Sequence, residues 1–242
     1  MAEQKYKRIG IIGGMGPSAT ASFYSRIISI FQKRFNAKYD YEFPEIIIIS
    51  LPIPDIVENP QNDGLIINLL IEAARKLENL GCSFIAMPCN TIHFYINELR
   101  ESVKIPVISI IEEVGELLKQ KSLLNVGLLS TDLVRKKKLY ELVLEDKKIN
   151  FLKIDGDIQM KLTKVIMNIL KGNLTQSDKD YLFFIIQNFK NQNAQAVVFG
   201  CTELPLLVEQ ADCSILLVDT LDVLAEACVR ESIKSYINED KK

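Results

Sequence analysis

Short apolar runs alternate with longer stretches of helical spacing along the whole sequence. The most pronounced run is Glu45–Ser50, whose four successive isoleucines predict a strand buried on both faces, as in a parallel sheet. Stretches with apolar residues at helical spacing lie between such runs, for example at Ser18–Lys33 and Gly64–Asn79. Strands that alternate with helices predict an α/β fold in which right-handed crossovers join parallel strands.

The second half of the chain repeats this alternation. After a strand at Val126–Leu129, the spacing predicts one helix over Asp132–Glu145. A later strand at Ala196–Phe199 precedes a predicted helix over Leu204–Gln210, and a closing helix is predicted from 220 to 237.

This repetition predicts two pseudo-duplicated lobes, each a parallel sheet flanked by helices, with the active site in the cleft between them. The 242 residues suffice for two lobes of roughly 110–120 residues each. We expect the first lobe over residues 1–112 and the second over residues 113–219. The C-terminal helix, within residues 220–242, is expected to pack back on the first lobe.

Composition argues against several classes of function. Apolar residues make up 48% of the chain and charged residues 25%, as in ordinary folded proteins. The formal net charge of −2 predicts no nucleic-acid partner. The apolar runs are too short to cross a bilayer and the N-terminus does not resemble a signal peptide, so we expect a cytoplasmic protein without a membrane partner. With five cysteines, no CxxC pair and one histidine, neither a disulfide framework nor a metal site is expected.

Two cysteine motifs occupy matching places in the two halves of the chain. The first is Met87–Thr91, with the sequence MPCNT, and the second is Gly200–Glu203, with the sequence GCTE. Each follows a predicted strand and precedes a predicted helix, whose dipole favours a thiolate. A single buried cysteine is usually an inert packing residue. Two of them in matching settings predict a pair of thiols that face one pocket, which suits moving a proton from one side of a carbon to the other.

A glycine-rich loop at Gly13–Pro17 lies between the first predicted strand and the first predicted helix. Its glycine spacing formally matches a dinucleotide-binding loop, but Glu45–Ser50 does not end in the acidic residue that would hold a ribose. We expect backbone N–H groups of the loop to approach an anion at the helix N-terminus. A turn with a purely structural role is the alternative.

Together these regions resemble the signature regions of the aspartate/glutamate racemase family, and they are most similar to its aspartate racemase branch. The resemblance runs nearly from end to end of the chain, in order and with the expected spacing. The segments that carry it are Gly13–Pro17, Ser50–Asp55, Met87–Thr91, Asn125–Thr131 and Gly200–Glu203.

The resemblance implies an isomerase that racemises an amino acid without pyridoxal phosphate and without a metal. It implies that Cys89 and Cys201 flank the substrate α-carbon, one as thiolate base and the other as thiol acid on the opposite face. The two roles exchange between the enantiomers. Because an α-proton beside a carboxylate is very weakly acidic, positioning and charge stabilisation must supply most of the rate. The resemblance also implies a homodimer.

Residues that follow the strand ends are the candidates for binding the substrate. These are Met15, Gly16, Asn90, Thr91, Thr131, Thr202 and Glu203. For Glu203 three roles are open: an acid in the first turn of a helix, a residue that holds Cys201, or a partner of the substrate ammonium group. Lys164 and Lys171 are further candidates, because some family members carry a lysine just before the Gly-Asn pair found here at Gly172-Asn173.

Three departures from the family pattern bear on the substrate. Ile56 stands where aspartate racemases often carry an arginine, Leu133-Val134 replace a Gly-Thr pair, and Glu203 stands where the glutamate racemase branch carries a histidine. Aspartate is the default substrate. The alternatives are a glutamate or broad-specificity racemase, a related cysteine isomerase such as a maleate isomerase or a hydantoin racemase, and a ligand-binding homologue without activity.

Overall fold

Two α/β units make up residues 5–57 and 63–234, which are the residues that the structure, a computed structural model, describes. Among them, the first unit comprises residues 5–54, 63–110 and 221–234, and the second comprises residues 55–57 and 111–220. Each unit contains a four-stranded parallel sheet with helices around it. The α/β class with parallel sheets predicted from the alternation is confirmed.

The two sheets place their strands in the same relative order. In chain order the strands are β1 (Ile9–Gly13), β2 (Ile46–Ser50), β3 (Phe84–Ala86), β4 (Val107–Ile108), β5 (Asn125–Ser130), β6 (Asn150–Leu152), β7 (Ala196–Gly200) and β8 (Leu216–Asp219). The first sheet has the order β2-β1-β3-β4 and the second β6-β5-β7-β8, with every pair parallel. In each sheet the two central strands therefore lie side by side.

The helices connect the strands and cover the sheets. In chain order they are α1 (Pro17–Phe35), α2 (Asp63–Asn79), α3 (Ile96–Ser102), α4 (Ile110–Gln120), α5 (Asp132–Lys136), α6 (Glu141–Asp146), α7 (Gly156–Leu170), α8 (Gln176–Asn191) and α9 (Thr220–Ser232). Short 3-10 helices occupy Asp40–Glu42, Thr91–Tyr95, Leu204–Leu206 and Gln210–Asp212. Within the described part of the chain, no helix is both long enough and apolar enough to span a bilayer.

Strand β2 lies at the edge of the first sheet. It pairs with β1 over its whole length, from Ile46 opposite Ile9 to Ser50 opposite Gly13. The predicted strand is present, but the prediction that it is buried on both faces is wrong, since Ile48 is 38% exposed. A strand with a single neighbour has one side open, and the order of strands in a sheet cannot be read from the β-branched content of a strand.

The single helix predicted over 132–145 is divided into α5 and α6. Lys138 adopts a left-handed conformation with a φ of 54°, and the Leu139 N–H donates to the Val134 carbonyl (3.2 Å) while the Lys138 N–H donates to the Arg135 carbonyl (3.2 Å). These are the bonds of a Schellman C-cap, which ends a helix. The break places the side chain of Tyr140 fully inside the second unit.

The helix after the first cysteine motif begins as a 3-10 helix and continues into α3, whereas the helix predicted over Leu204–Gln210 is shorter than expected. A 3-10 helix, and not an α-helix, follows each motif, and the one after the second motif spans only three residues. There the backbone of Glu209 is extended and its N–H donates to the Asp212 carboxylate (3.2 Å), which begins a separate turn. No α-helix therefore begins directly at either cysteine, and the field of an α-helix N-terminus falls off within its first turn.

From Leu221 onward, helix α9 belongs to the first unit although it follows the second unit in the sequence. The Arg34 guanidinium of α1 forms an ion pair with Glu226 of α9 (2.7 Å), and the Lys7 N–H donates to the Ser232 carbonyl (2.9 Å). The predicted closing helix is thus present over Thr220–Ser232. The part of that prediction that falls on residues 235–237 lies outside the described residues.

Candidate active site

In each unit, two of the predicted motifs follow neighbouring strands of the sheet. In the first unit, β1 runs into the glycine-rich loop and its neighbour β3 runs into the turn with Cys89. In the second unit, β5 runs into Thr131 and its neighbour β7 runs into Cys201, with Ser130 opposite Gly200 in the register. Parallel strands present their carboxyl ends at one edge of a sheet, which is where α/β proteins bind ligands. Each unit therefore gathers its own candidate residues at one edge.

Cys89 lies in the turn between β3 and the 3-10 helix that follows. It forms no disulfide bond and is 6% exposed, and Asn90 and Thr91 beside it are also buried. The Cys89 N–H donates to the Met87 carbonyl (2.8 Å), and the Cys89 carbonyl lies 2.8 Å from Nδ1 of His93. The backbone that carries the thiol is thus held on both sides of Cys89.

His93 is a residue of this turn that the motif analysis does not single out. Its ring is buried, and Nε2 accepts a hydrogen bond from the backbone N–H of Ile110 (3.0 Å). The only signal in the sequence is its position four residues after Cys89, one helical turn away. That spacing indicates proximity, whereas the bond to Ile110 depends on the tertiary fold.

Cys201 directly follows β7, whose five residues are all buried. Its thiol donates to the Glu203 carboxylate (Sγ to Oε2, 3.1 Å), and the Thr202 hydroxyl donates to the same oxygen (3.1 Å). All three residues are buried. A Cβ at Gly200 would lie 3.2 Å from the Leu129 carbonyl oxygen, so a glycine suits the close approach of β5 at this point. One carboxylate oxygen of the second motif thus accepts from two side chains.

Tyr140 is the second residue near a cysteine that motif analysis misses. Burial raises the pKa of Tyr140 far above its usual value, and the charge of a Cys201 thiolate raises it further. The phenol therefore keeps its proton at neutral pH. A thiolate at Cys201 would also face the carboxylate of Glu203, and like charges at hydrogen-bond distance repel. Tyr140 and Glu203 thus both interact electrostatically with Cys201.

The glycine-rich loop is held by the side chain of Thr20. The Thr20 hydroxyl accepts from the Gly14 N–H (2.9 Å) and donates to the Gly16 carbonyl (2.9 Å). Gly14 has a φ of 90°, and a Cβ there would lie 2.5 Å from the backbone nitrogen of Leu51. The Gly14 N–H is thus used inside the loop. Met15 is half-buried and Gly16 is the N-cap of α1, and anion binding by these two residues stays a prediction.

The other predicted residues lie in the second unit. Thr131 is buried and caps α5, with its hydroxyl accepting from the Val134 N–H (3.3 Å). Lys164 and Lys171 are exposed on α7 and at its C-cap, respectively. The bond from Val134 gives Thr131 a structural role in addition to any role at the site. Substrate binding by the lysines stays a prediction.

Ile56, at the position of the family arginine, is 7% exposed in the second unit. The Asp55 carboxylate on one side accepts from the Val57 N–H on the other (2.9 Å), which closes a short turn around it. The Val57 side chain packs against the apolar core of the second unit. A buried apolar side chain therefore stands where the aspartate racemases often carry a positive charge.

The fold and the motifs define a class: an α/β protein of two parallel-sheet units, each with a buried cysteine just after a central strand. A profile of the Asp/Glu/Hydantoin racemase family matches residues 12–228. The match spans most of the sequence, and the chain belongs to the Asp/Glu/Hydantoin racemase family. The family predicted from the motifs is confirmed.

Several racemases and racemase homologues are similar to nearly the whole chain. A broad specificity amino-acid racemase, RacX, of Bacillus subtilis (strain 168) is 28% identical over 221 residues, which is 91% of this chain and 96% of that protein. The aspartate racemase of Picrophilus torridus has 28% identity and a TM-score of 0.80, over 97% of this chain and 99% of that one. An aspartate racemase homologue from Pyrococcus horikoshii OT3 has 29% identity and a TM-score of 0.78, over 93% and 98%.

Proposed function

We propose that this protein is a cofactor-independent amino-acid racemase that interconverts L- and D-aspartate, or a related amino acid, by two-base proton transfer. The observation that carries the proposal is that each unit has a buried cysteine outside any disulfide just after a central strand, with buried polar residues next to it. Membership of the family supplies the class of reaction. The cysteines of the two motifs, Cys89 and Cys201, are the proposed catalytic residues.

In the proposed reaction, the two thiols act on opposite faces of one substrate α-carbon. A thiolate removes the α-proton, and the electron pair of the broken C–H bond stays on the substrate as a carbanion delocalised toward the carboxylate. The thiol on the other face then donates its proton to that carbon. The product is the enantiomer, and thiol and thiolate have exchanged places. One proton leaves the α-carbon and one proton is added to it, and no oxidation or reduction occurs. The reaction therefore needs no further reactant.

The hydrogen bond from Cys201 to Glu203 supports an assignment of the two roles in the resting enzyme. We assign Cys201 as the protonated acid, because its thiol already donates to a carboxylate. Cys89 is then the resting base. Since the same Glu203 oxygen also accepts from Thr202, this geometry supports the role of holding Cys201 over that of binding the substrate ammonium group.

The proposed substrate-binding residues follow the ends of β1, β3, β5 and β7 in the sequence. Backbone N–H groups near Gly16, Thr91 and Thr202 would hold the substrate carboxylates, as preorganised donors do at sites where negative charge develops. Their burial supports this proposal, because hydrogen bonds to charge are stronger away from water.

Broad amino-acid specificity is the second candidate, and the buried Ile56 favours it. An apolar side chain offers no ion pair to the side-chain carboxylate of aspartate. The Bacillus subtilis relative is described as having broad specificity. We therefore include neutral and apolar amino acids beside aspartate and glutamate among the proposed substrates.

The test is α-proton exchange in D2O, without added pyridoxal phosphate, over the L- and D-forms of aspartate, glutamate and a set of neutral amino acids. We expect deuterium at the α-carbon and appearance of the other enantiomer, read by NMR and chiral chromatography. Cys89→Ser and Cys201→Ser should each reduce net racemisation by more than about 100-fold, because each removes one of two proton carriers. The matched control is Cys213→Ser, a half-buried cysteine outside both motifs, which should leave turnover unchanged.

Three results would contradict the proposal. Wild-type turnover in either motif variant would refute the two-base mechanism. Binding of amino acids with no exchange across the whole set would favour a ligand-binding homologue, and turnover of maleate or a hydantoin in place of amino acids would favour a related isomerase.

We also propose that the protein is cytoplasmic and that it forms a homodimer, the dimer being what the resemblance to the family implies. Light scattering on the purified protein should give twice the mass of one chain. A mass of one chain at micromolar concentration would contradict this proposal.

A further inference from the structure

Both ring nitrogens of His93 are engaged within the first unit. The backbone N–H of Ile110 can only donate, so Nε2, 3.0 Å away, accepts and carries no proton. Nδ1, 2.8 Å from the Cys89 carbonyl oxygen, must then carry the ring proton and donate it there. The hydrogen-bond network thus assigns one neutral tautomer to this buried ring.

These two bonds link the turn that carries Cys89 to a different element of the fold. Ile110 is fully buried and is the first residue of α4, which begins just after β4. Strand β4 is the neighbour of β3, and β3 leads into Cys89. His93 therefore ties the backbone of Cys89 to a fixed point across the neighbouring strand.

We propose that His93 is a positioning residue for Cys89, which acts by holding the carbonyl of the cysteine and thereby the direction of its thiol. The inference rests on the proposed racemase function, in which Cys89 exchanges the α-proton. Proton transfer requires the carrier to lie at hydrogen-bond distance from the substrate carbon, and small misplacements lower the rate of this step steeply. Loss of the bond to Cys89 should therefore lower kcat and leave KM nearly unchanged.

Two substitutions separate the two hydrogen bonds. His93→Asn places an amide N–H near the position of Nδ1 and keeps the donor to Cys89, but loses the acceptor for Ile110. His93→Gln reaches further and keeps an acceptor for Ile110, but loses the donor to Cys89. Each variant gives up one buried hydrogen bond, so both should lose similar stability. A purely structural histidine would affect activity equally in both.

The expected result is a kcat at least tenfold lower in His93→Gln than in His93→Asn, with KM values within about threefold of wild type in both. A second readout does not require turnover. Alkylation of the free enzyme by iodoacetamide, followed for each cysteine by peptide mass spectrometry, should accelerate at Cys89 in His93→Gln as the turn loosens. Cys201 is the internal control and should react at its wild-type rate in both variants.

Equal kcat in the two variants, or an unchanged Cys89 alkylation rate in His93→Gln, would overturn the inference. If His93→Gln does not fold, the kcat of His93→Asn tests the inference. A kcat within about threefold of wild type supports it, and a larger loss contradicts it. If wild-type protein exchanges no α-proton, the proposed function fails, while the alkylation rates still report whether His93 holds Cys89.

Discussion

The two motif cysteines have different surroundings at the level of single residues. Cys201 donates to a carboxylate oxygen 3.1 Å away, which also accepts from Thr202. Cys89 has no carboxylate in its motif, and its backbone is held by the ring of the neutral His93. The pair is thus asymmetric, although the sequence presents the two motifs as near equivalents.

Glu203→Gln is the substitution that tests this asymmetry. Removing the negative charge beside Cys201 should increase the thiolate fraction of that cysteine, since a neighbouring like charge disfavours ionisation. We expect alkylation of Cys201 by iodoacetamide at neutral pH to become roughly tenfold faster, which corresponds to the removal of one strong repulsive contact.

Cys89 in the same variant is the control and should keep its wild-type alkylation rate. A slower reaction of Cys201 in Glu203→Gln would contradict the assignment, because it would mean that the carboxylate removes the thiol proton and does not merely oppose the thiolate.

At this scale the sequence reveals the residues whose chemistry is local. Cys89 and Cys201 are recognisable because strand-end position and neighbouring polar residues are properties of a short segment. Tyr140 and His93 are not, because they interact with segments distant in sequence, Tyr140 electrostatically with Cys201 and His93 by a hydrogen bond with Ile110. A phenol after a lysine-rich stretch gives no sign that it will be fully buried.

At the level of elements, the start of α8 shows how side chains determine where a helix begins. The Asp178 carboxylate accepts from the Thr175 N–H (3.1 Å) and hydroxyl (2.7 Å), and from the Asn168 amide of α7 (3.0 Å). Burial works to raise the pKa of Asp178, but these hydrogen bonds outweigh it and the pKa is lowered. The same carboxylate therefore caps α8 and joins it to α7.

Asp178→Ala should lower the free energy of unfolding by about 1 kcal/mol at pH 7, the usual value of a helix cap. Because the folded-state pKa lies below the unfolded one, the contribution of the carboxylate is present above the unfolded value of about 3.9. It is lost as the pH falls through the lower folded-state pKa. The difference between variant and wild type in urea unfolding should thus shrink at low pH.

Asp180→Ala on the same helix is the matched control, since Asp180 is exposed and accepts only within its own helix, from Gln176. It should change the free energy of unfolding by less than about 0.5 kcal/mol. An equal loss in the two variants, or a loss in Asp178→Ala that persists at low pH, would contradict the role of the cap.

The order and type of most strands and helices follow from periodicity, and the exceptions have identifiable causes. The break between α5 and α6 depends on the left-handed backbone conformation of Lys138, which the presence of a lysine does not predict. The exposure of Ile48 depends on β2 being an edge strand, which is a property of the whole sheet. Both are tertiary effects that override local preference.

At the scale of the whole molecule, the last helix of the described part of the chain, α9, packs in the first unit. The residues of α9 lie about 200 positions after β1, yet they belong to the same unit and contribute fully buried side chains, among them Leu224 and Ala225. Arg26 of α1 forms an ion pair with Asp222 of α9, and the Ser232 hydroxyl donates to the Lys7 carbonyl (2.9 Å). The first unit thus depends on the most distant part of the described chain.

Leu224→Ala should consequently destabilise the first unit from its far end. Truncation of a fully buried leucine costs about 2–5 kcal/mol. Hydrogen exchange measured by mass spectrometry should show the largest loss of protection in β1, α1 and α9, because local opening reports the stability of the packed unit. Leu162→Ala, an equally buried leucine of α7 in the second unit, is the matched control and should deprotect α7, α8 and β5 most strongly. If Leu224→Ala instead lowered protection chiefly in β5 and β7, α9 would not stabilise the first unit, and the prediction would be contradicted.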